Sequence, residues 1–300
     1  MAKLDRRTLL AGAAAVAAAG ALPRLAGAEE DKPPTAIRKA VKLGMVRVRA
    51  PLQERFQLLK DLGFDGVELD SPSNLKSDEV LRARDATGLP IHGVVDSVHW
   101  KERLSDPSEA RRAKGRAALE TALRDCHTYG GDTVLLVPAV VDKTVAYDQA
   151  WERSSAEIRK VLPLAAELKI KIAIENVWNQ FLLSPLEAAR YIDQFESPWI
   201  GWYMDVGNIV NYGWPEQWIR ILGARILKLD VKEFSRKKRD AEGLWKGFQV
   251  GIGDGDCDWP AVRAALTEIG YRGWATAEVG GGGPDRLKDI KARMDGALGV

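Results

Sequence analysis

Four stretches of this chain each close an apolar run on a carboxylate: AIEN at 173–176 with Glu175, YMD at 203–205 with Asp205, LKLDVK at 227–232 with Asp230, and WATAE at 274–278 with Glu278. If each run is a β-strand, successive side chains alternate between its two faces. Glu175 then shares a face with Ala173, opposite Ile172 and Ile174. Glu278 stands with Trp274 and Thr276. Asp230 stands with Lys228 and Lys232, while Leu227, Leu229 and Val231 take the other face. Four carboxylates brought into one dry pocket destabilise each other's ionised forms unless a counter-charge joins them. A divalent cation with all-oxygen ligation meets that need. A salt-bridge network through Lys228 and Lys232 is the structural alternative, but four acids at equivalent strand ends favour the metal.

Around this set lie histidines and tryptophans that a site could use. His99 follows an apolar run in Ser97-Val98-His99-Trp100, and by type and place alone it reads as a generic surface histidine. His92 reads as packed, and His127 as structural or as a charge at a helix end. Of ten tryptophans, Trp100, Trp178, Trp214 and Trp245 fall in segments after strands. Indole faces suit sugar C–H surfaces and leave the N–H for a hydroxyl. Of these, Trp178 is the candidate substrate contact.

The elements that must position these groups repeat strand and helix. Apolar, β-rich runs occur at 41–48, 66–70, 91–98, 133–140, 170–177, 199–206, 226–232 and 273–279. Helical periodicity separates many of them. At 51–63, Leu52, Phe56, Leu59 and Leu62 form one stripe that ends at Gly63, and 108–131 reads as a long amphipathic helix. Others fall at 150–169, 184–195, 260–271 and 285–298. Strand-then-helix repetition implies a parallel sheet, because the helix returns the chain to the same edge. Eight units of about 34 residues each match a single-domain (β/α)₈ barrel, a TIM barrel of the α/β class. A doubly wound open sheet would carry a glycine-rich turn after its first strand, and Val46-Arg47-Val48-Arg49-Ala50 has none. Residues 235–247 read as a charged loop after strand seven, placed to act as a lid.

The amino end has a different character. Arg6-Arg7 precede an Ala/Gly/Leu/Val stretch that runs to Ala21, and Ala26-Gly27-Ala28 offers small residues at a cleavage point. The paired arginines resemble a twin-arginine export signal over residues 1–28. An ordinary secretory signal is the alternative. Residues 29–40 read as a polar leader and 41–300 as the barrel. The apolar stretch is too short and alanine-rich for a stable membrane span. The expected location is therefore the periplasm or beyond, with the export machinery as a partner. A net charge of +2 on 300 residues leaves no electrostatic footprint for nucleic acid. Two cysteines, Cys126 and Cys257, read as unrelated free thiols. Three histidines are too few for an imidazole-rich metal cluster. The composition is compatible with an oligomer.

IENVWN, YMDVGN, RILKLDVKEF, GIGDGDCDWPAV and GYRGWATAE together resemble the xylose-isomerase-like barrel family of sugar and sugar-phosphate isomerases and epimerases. The resemblance runs from about residue 41 to 299 and implies a metal held by a glutamate, an aspartate, a histidine and a glutamate at the ends of strands five to eight. Glu175, Asp205 and Glu278 match. Asp230 stands where the histidine is expected, and Asn208 where several relatives carry another. A site of Glu175, Asp205, Asp230 and Glu278 is more anionic than the family's and favours Mg²⁺ or Mn²⁺.

The resemblance implies proton transfer beside a carbonyl through an enediolate, with Glu175 and Glu278 as the acid and base, Lys232 steadying developing negative charge or binding a substrate hydroxyl, and His99 as a substrate contact. A lyase expelling a β-substituent from a 3-keto-glycoside shares the first step. A non-catalytic sugar-binding barrel fits the acid/base pair less well. A multi-metal phosphodiesterase would need more histidines. Export, and the absence of a phosphate-cradling helix start, point to an unphosphorylated keto-sugar or oxidised glycoside.

Overall fold

The computed structural model describes residues 37–299. The stretch read as an export signal, and most of the leader, lie outside the described residues. Eight parallel strands close into a barrel in the order in which they occur in the chain. They are β1 (Arg38–Lys42), β2 (Gly66–Ser71), β3 (Ile91–Asp96), β4 (Thr133–Leu136), β5 (Lys171–Glu175), β6 (Ile200–Asp205), β7 (Ile226–Val231) and β8 (Trp274–Ala277). Around them run α1 (Leu52–Asp61), α2 (Ser77–Thr87), α3 (Glu109–Tyr129), α4 (Tyr147–Leu168), α5 (Pro185–Asp193), α6 (Val206–Val210), α7 (Pro215–Leu222), α8 (Arg236–Glu242), α9 (Trp259–Glu268) and α10 (Pro284–Leu298). No helix among the described residues is long and apolar enough to cross a membrane.

Local sequence explains the boundaries. In α1, Leu52, Phe56 and Leu59 form the buried stripe, and the chain turns at Gly63, whose φ of +83° is a conformation that costs glycine little. Helix α5 opens with a reciprocal cap: Ser184 Oγ accepts from Glu187 N, and Glu187 Oε2 accepts from Leu183 N, with Pro185 in the first turn. The outward strand faces and inner helix faces form one apolar core, while Leu135, Ala173 and Tyr203 form a separate small cluster. Cys126 and Cys257 are free and buried.

Three expectations are corrected. The first strand is not 41–48: it begins at Arg38, inside the stretch read as leader, and ends at Lys42, where the chain turns into a short 3₁₀ segment. Alternation in β7 breaks at its start, because the register slips between Trp202–Ile226 and Tyr203–Lys228. Leu227 consequently packs against the Leu135–Ala173–Tyr203 cluster rather than the helices. The segment 235–247 is folded, not a loop. Ser235 caps α8 by accepting from Lys238 N, Arg236 donates to Val210 O, and a 3₁₀ segment Leu244–Phe248 follows.

Candidate metal and sugar site

The register sets the acids level with one another. Tyr203 pairs with Glu175, Asp205 with Asp230, and Asp230 with Thr276, so adjacent strands end their inward faces together. One oxygen from each of Glu175, Asp205, Asp230 and Glu278 lies within 4.8 Å of the other three. Glu175, Asp205 and Asp230 are buried, while the Glu278 side chain is one-third exposed to the cavity above.

Asp205 is the best-supported member. Its Oδ1 accepts from Asn208 N and its Oδ2 from Asn208 Nδ2, both at 2.7 Å, and Lys232 Nζ stands 2.8 Å from Oδ2. Asn176 fixes the strand end beneath it, accepting from Asp205 N and Trp202 Nε1 while donating to Asp205 O. Lys232 also reaches Glu278 Oε2 at 2.9 Å. Asn208 thus orients a carboxylate, as an outer-shell partner does in a metal site.

A second ammonium stands across the ring. Lys42, the last residue of β1, places Nζ 2.9 Å from Asp230 Oδ2, 3.5 Å from Glu278 Oε1 and 3.8 Å from Glu68 Oε2. The sequence pattern alone points to neither Lys42 nor Glu68. The apolar run that begins at Val41 puts Lys42 near the start of its strand, whereas it is the last residue of β1. Glu68 interrupts the apolar run GVELD inside β2 and does not close it, so it lacks the mark of the other acids.

The two lysines leave the acids incompletely balanced. Burial raises the carboxyl of Glu175 well above the ordinary range, and Glu278 raises it further. Burial also raises Asp230 strongly, against the opposing pull of Lys42. Asp205 is pushed up to about 6 by burial, with Lys232 holding it down. Glu278 alone falls well below its usual range, because Lys42 and Lys232 outweigh its burial. Burial disfavours the charge on Lys42, yet Asp230, Glu278, Glu68 and Glu175 together raise its affinity for a proton.

The residues fit a hard divalent ion. Asp230 Oδ1 is buried without a hydrogen-bond donor, the donor set is all oxygen, and its oxygens converge. Neutral protein donors alone do not satisfy this arrangement.

Above the acids opens a cavity of about 860 Å³, lined by Lys42, Glu175, Lys232 and Glu278 at its floor. His99 lines it too, buried, with Nδ1 accepting from Val137 N at 3.3 Å, which leaves the ring hydrogen on Nε2. Its pKa is lowered to about 3 by burial and by Lys42, so it is a neutral donor at physiological pH. Trp178, Trp245 and Phe248 form one aromatic wall, with ring centroids 4.8 and 5.1 Å from that of Trp178. Trp100 lies elsewhere on the lining. The indole N–H of Trp178 is not free for a hydroxyl: it donates to Asn208 O at 2.8 Å. Trp214 lies outside this lining, exposed beneath Arg236.

The motif GIGDGDCDW has a structural task. Buried Glu233 accepts from Phe234 N, Gly253 N, Cys257 N and Trp259 Nε1, tying the segment after β7 to the start of α9. A Cβ at Gly255 would come within 2.5 Å of Glu233 Oε1, which accounts for the glycine. These N–H groups are spent on a carboxylate and not on a phosphate.

The profile of the xylose isomerase-like TIM barrel family matches residues 56–296. The chain belongs to that family. It is 25% identical over 282 residues to an L-ribulose-5-phosphate 3-epimerase, UlaE, of Escherichia coli O1:K1 / APEC, covering 86% of this chain and 96% of the relative. The corresponding protein of Salmonella paratyphi C is also 25% identical, covering 87% and 98%. Among solved structures, the apo form of a 3-keto-D-glucoside 4-epimerase, YcjR, from E. coli superimposes with a TM-score of 0.73 at 17% identity, over 88% of this chain and all of that one. A D-tagatose 3-epimerase-like protein gives 0.75 at 16%, over 88% and 97%. At these identities the structural likeness establishes the fold.

Proposed function

We propose that this barrel is a divalent-metal-dependent sugar epimerase or isomerase acting on an unphosphorylated keto-sugar or keto-glycoside. The observation that carries the reading is the pair Glu175 and Glu278, two carboxylates converging from different strands on one floor of the cavity. A divalent ion among Glu175, Asp205, Asp230 and Glu278, Mn²⁺ or Mg²⁺ by the hardness of the donors, would polarise a carbonyl and offset the charge that develops as the neighbouring C–H bond breaks. One of the two glutamates removes that proton and the other returns it to the opposite face or to the adjacent carbon. Lys232, anchored on Asp205 and Glu278, stands where negative charge accumulates. His99 offers a neutral N–H to a hydroxyl, and the Trp178–Trp245–Phe248 wall offers faces to sugar C–H surfaces.

The family membership and the near-complete alignment with phosphopentose 3-epimerases support the reaction class. The cavity argues for a different substrate. Its lining ammoniums, Lys42 and Lys232, are already paired with carboxylates, leaving none to meet a phosphate dianion. We also propose export through the twin-arginine-like segment at Arg6 and Arg7; replacing both by lysine should retain the precursor inside the cell, and undiminished export would refute that route. The reaction is tested by incubating the Mn²⁺-loaded protein with free keto-sugars and 3-keto-glycosides in deuterated water. Deuterium at the carbon beside the carbonyl is expected, and matched phosphate esters should compete poorly. No exchange with any ketose would reject the reaction, and tighter binding of the phosphate ester would reject the substrate class.

A further inference from the structure

We propose that Lys42 is the site's built-in second cation: its ammonium holds the place of a second divalent ion among Glu68, Asp230 and Glu278, and so limits the cluster to one metal. The inference rests on the metal reading above and concerns how many ions the ring accepts.

The ring has two cation positions. The first is bounded by Glu175, Asp205, Asp230 and Glu278. The second is where Lys42 Nζ lies, at 2.9 Å from Asp230, 3.5 Å from Glu278 and 3.8 Å from Glu68. Asp230 and Glu278 belong to both. Two positions that share two carboxylates are the arrangement of two-metal sites, where bridging acids hold ions about 3.5–4 Å apart. In this chain one position is served by a side chain tethered to β1.

The surroundings of Lys42 are richer in oxygen than one ammonium needs. Glu68 Oε2 and Asp230 Oδ1 are buried and receive no hydrogen bond. Glu68 Oε1 is accounted for by Tyr203 Oη at 3.0 Å. Five acids, Glu68, Glu175, Asp205, Asp230 and Glu278, face two ammoniums, Lys42 and Lys232, while Lys228, whose field also reaches Glu68, is matched by its own partner Asp132. One divalent ion still leaves an acid unbalanced, so nothing electrostatic in the ring opposes another cation once Lys42 is gone. Lys42 acts there by occupancy: it is a compact, strongly hydrated point charge on a flexible stem, and it fills the position without chelating ligands of its own.

Removing the side chain empties this position while Glu68, Asp230 and Glu278 remain. The experiment is metal analysis of full-length protein dialysed against Mn²⁺, with electron paramagnetic resonance on the same samples. Wild type is expected to hold one ion, and Lys42→Ala two, with the resonance signature of a magnetically coupled pair. Lys42→Arg should remain at one. Lys42→Ala combined with Glu68→Gln should return toward one, because a ligand of the second position is lost. Lys42→Gln, which keeps much of the stem, is read in the same way if the alanine variant does not fold. A folded Lys42→Ala protein with one ion, or with two uncoupled ions, overturns the proposal. Wild type without bound Mn²⁺ would instead overturn the metal reading on which it rests.

Discussion

The two ends of the barrel interior treat buried polar groups in opposite ways. Toward the amino ends of the strands, Lys228 Nζ meets His92 Nδ1 at 2.9 Å, His92 O at 2.6 Å and Asp132 Oδ1 at 2.6 Å. His92 Nε2 lies 3.1 Å from Thr276 Oγ1, which lies 3.0 Å from Tyr203 Oη, which donates to Glu68 Oε1. With the Lys228 ammonium donating to Nδ1, His92 must carry its hydrogen on Nε2 and pass the donor sense upward. Burial, followed by Lys228, lowers the His92 pKa well below its ordinary value, which keeps that ring neutral. At the carboxyl ends, acids outnumber ammoniums, and Glu68 Oε2 and Asp230 Oδ1 are buried without a hydrogen-bond donor. A satisfied interior network is a structural device. A surplus of one charge sign at the mouth of a cavity costs stability, and it persists where a ligand or reaction uses it.

Breaking the upper end should therefore damage chemistry and spare folding. Glu175→Gln and Glu278→Gln are each expected to lower solvent-proton exchange into substrate by about 10²–10⁴-fold, the range for loss of a positioned acid or base. Glu175→Gln should leave the metal-free melting temperature unchanged or raised, since the wild-type carboxyl is buried against Glu278. Native exchange rates in either variant would remove that residue from the acid/base pair. A large drop in melting temperature for Glu175→Gln would make it a structural acid and dissolve the contrast between the two ends.

The lower end should respond the other way. Thr276→Val keeps the shape but deletes the hydroxyl between His92 and Tyr203, leaving a buried N–H without an acceptor. An unsatisfied buried group costs about 1–3 kcal/mol. Urea unfolding should show a loss of that size, with the Mn²⁺ stoichiometry of the variant equal to wild type. A neutral substitution would mean that the hydroxyl is not needed to satisfy the chain.

The difference in legibility between the two ends follows from periodicity. Glu175, Asp205, Asp230 and Glu278 stand out because a charged residue at the close of an apolar run has few structural explanations, and alternation supplies its direction. The closed barrel follows from counting such runs. Lys42 escapes because the apolar run VKLGMVRV continues past the strand end, so hydrophobicity alone sets the start of the strand three residues too late and its end six residues too late. The slip that places Leu227 inward has no compositional mark, since a bulge depends on the neighbouring strand. The spent N–H of Trp178 was equally invisible: its acceptor, Asn208 O, lies 30 residues away and meets it only in the folded barrel.

The last test asks whether the acidic end costs stability even beyond the four convergent acids. Asp96 ends β3, lines the cavity and is 1% exposed, with Val98 N donating to it at 3.2 Å. Burial pushes its carboxyl up to about 7, although the Val98 bond pulls the other way. Its value in the unfolded chain is about 3.9. A carboxyl raised on folding prefers the neutral form in the native state, so its contribution is intact below about pH 4 and is lost as pH rises toward 7. Asp96→Asn keeps an acceptor for Val98 N and cannot ionise. The metal-free variant and wild type should match in stability near pH 4, separate by up to about 1.4 kcal/mol per pH unit toward pH 7, and run parallel above it, with the variant the more stable. Thermal unfolding of both proteins across that range measures the gap. A gap that is absent at pH 8 would mean that water or a cation already balances Asp96. A variant less stable at every pH would show that the ionised carboxylate is held by the fold, and would place β3 with the satisfied end of the barrel.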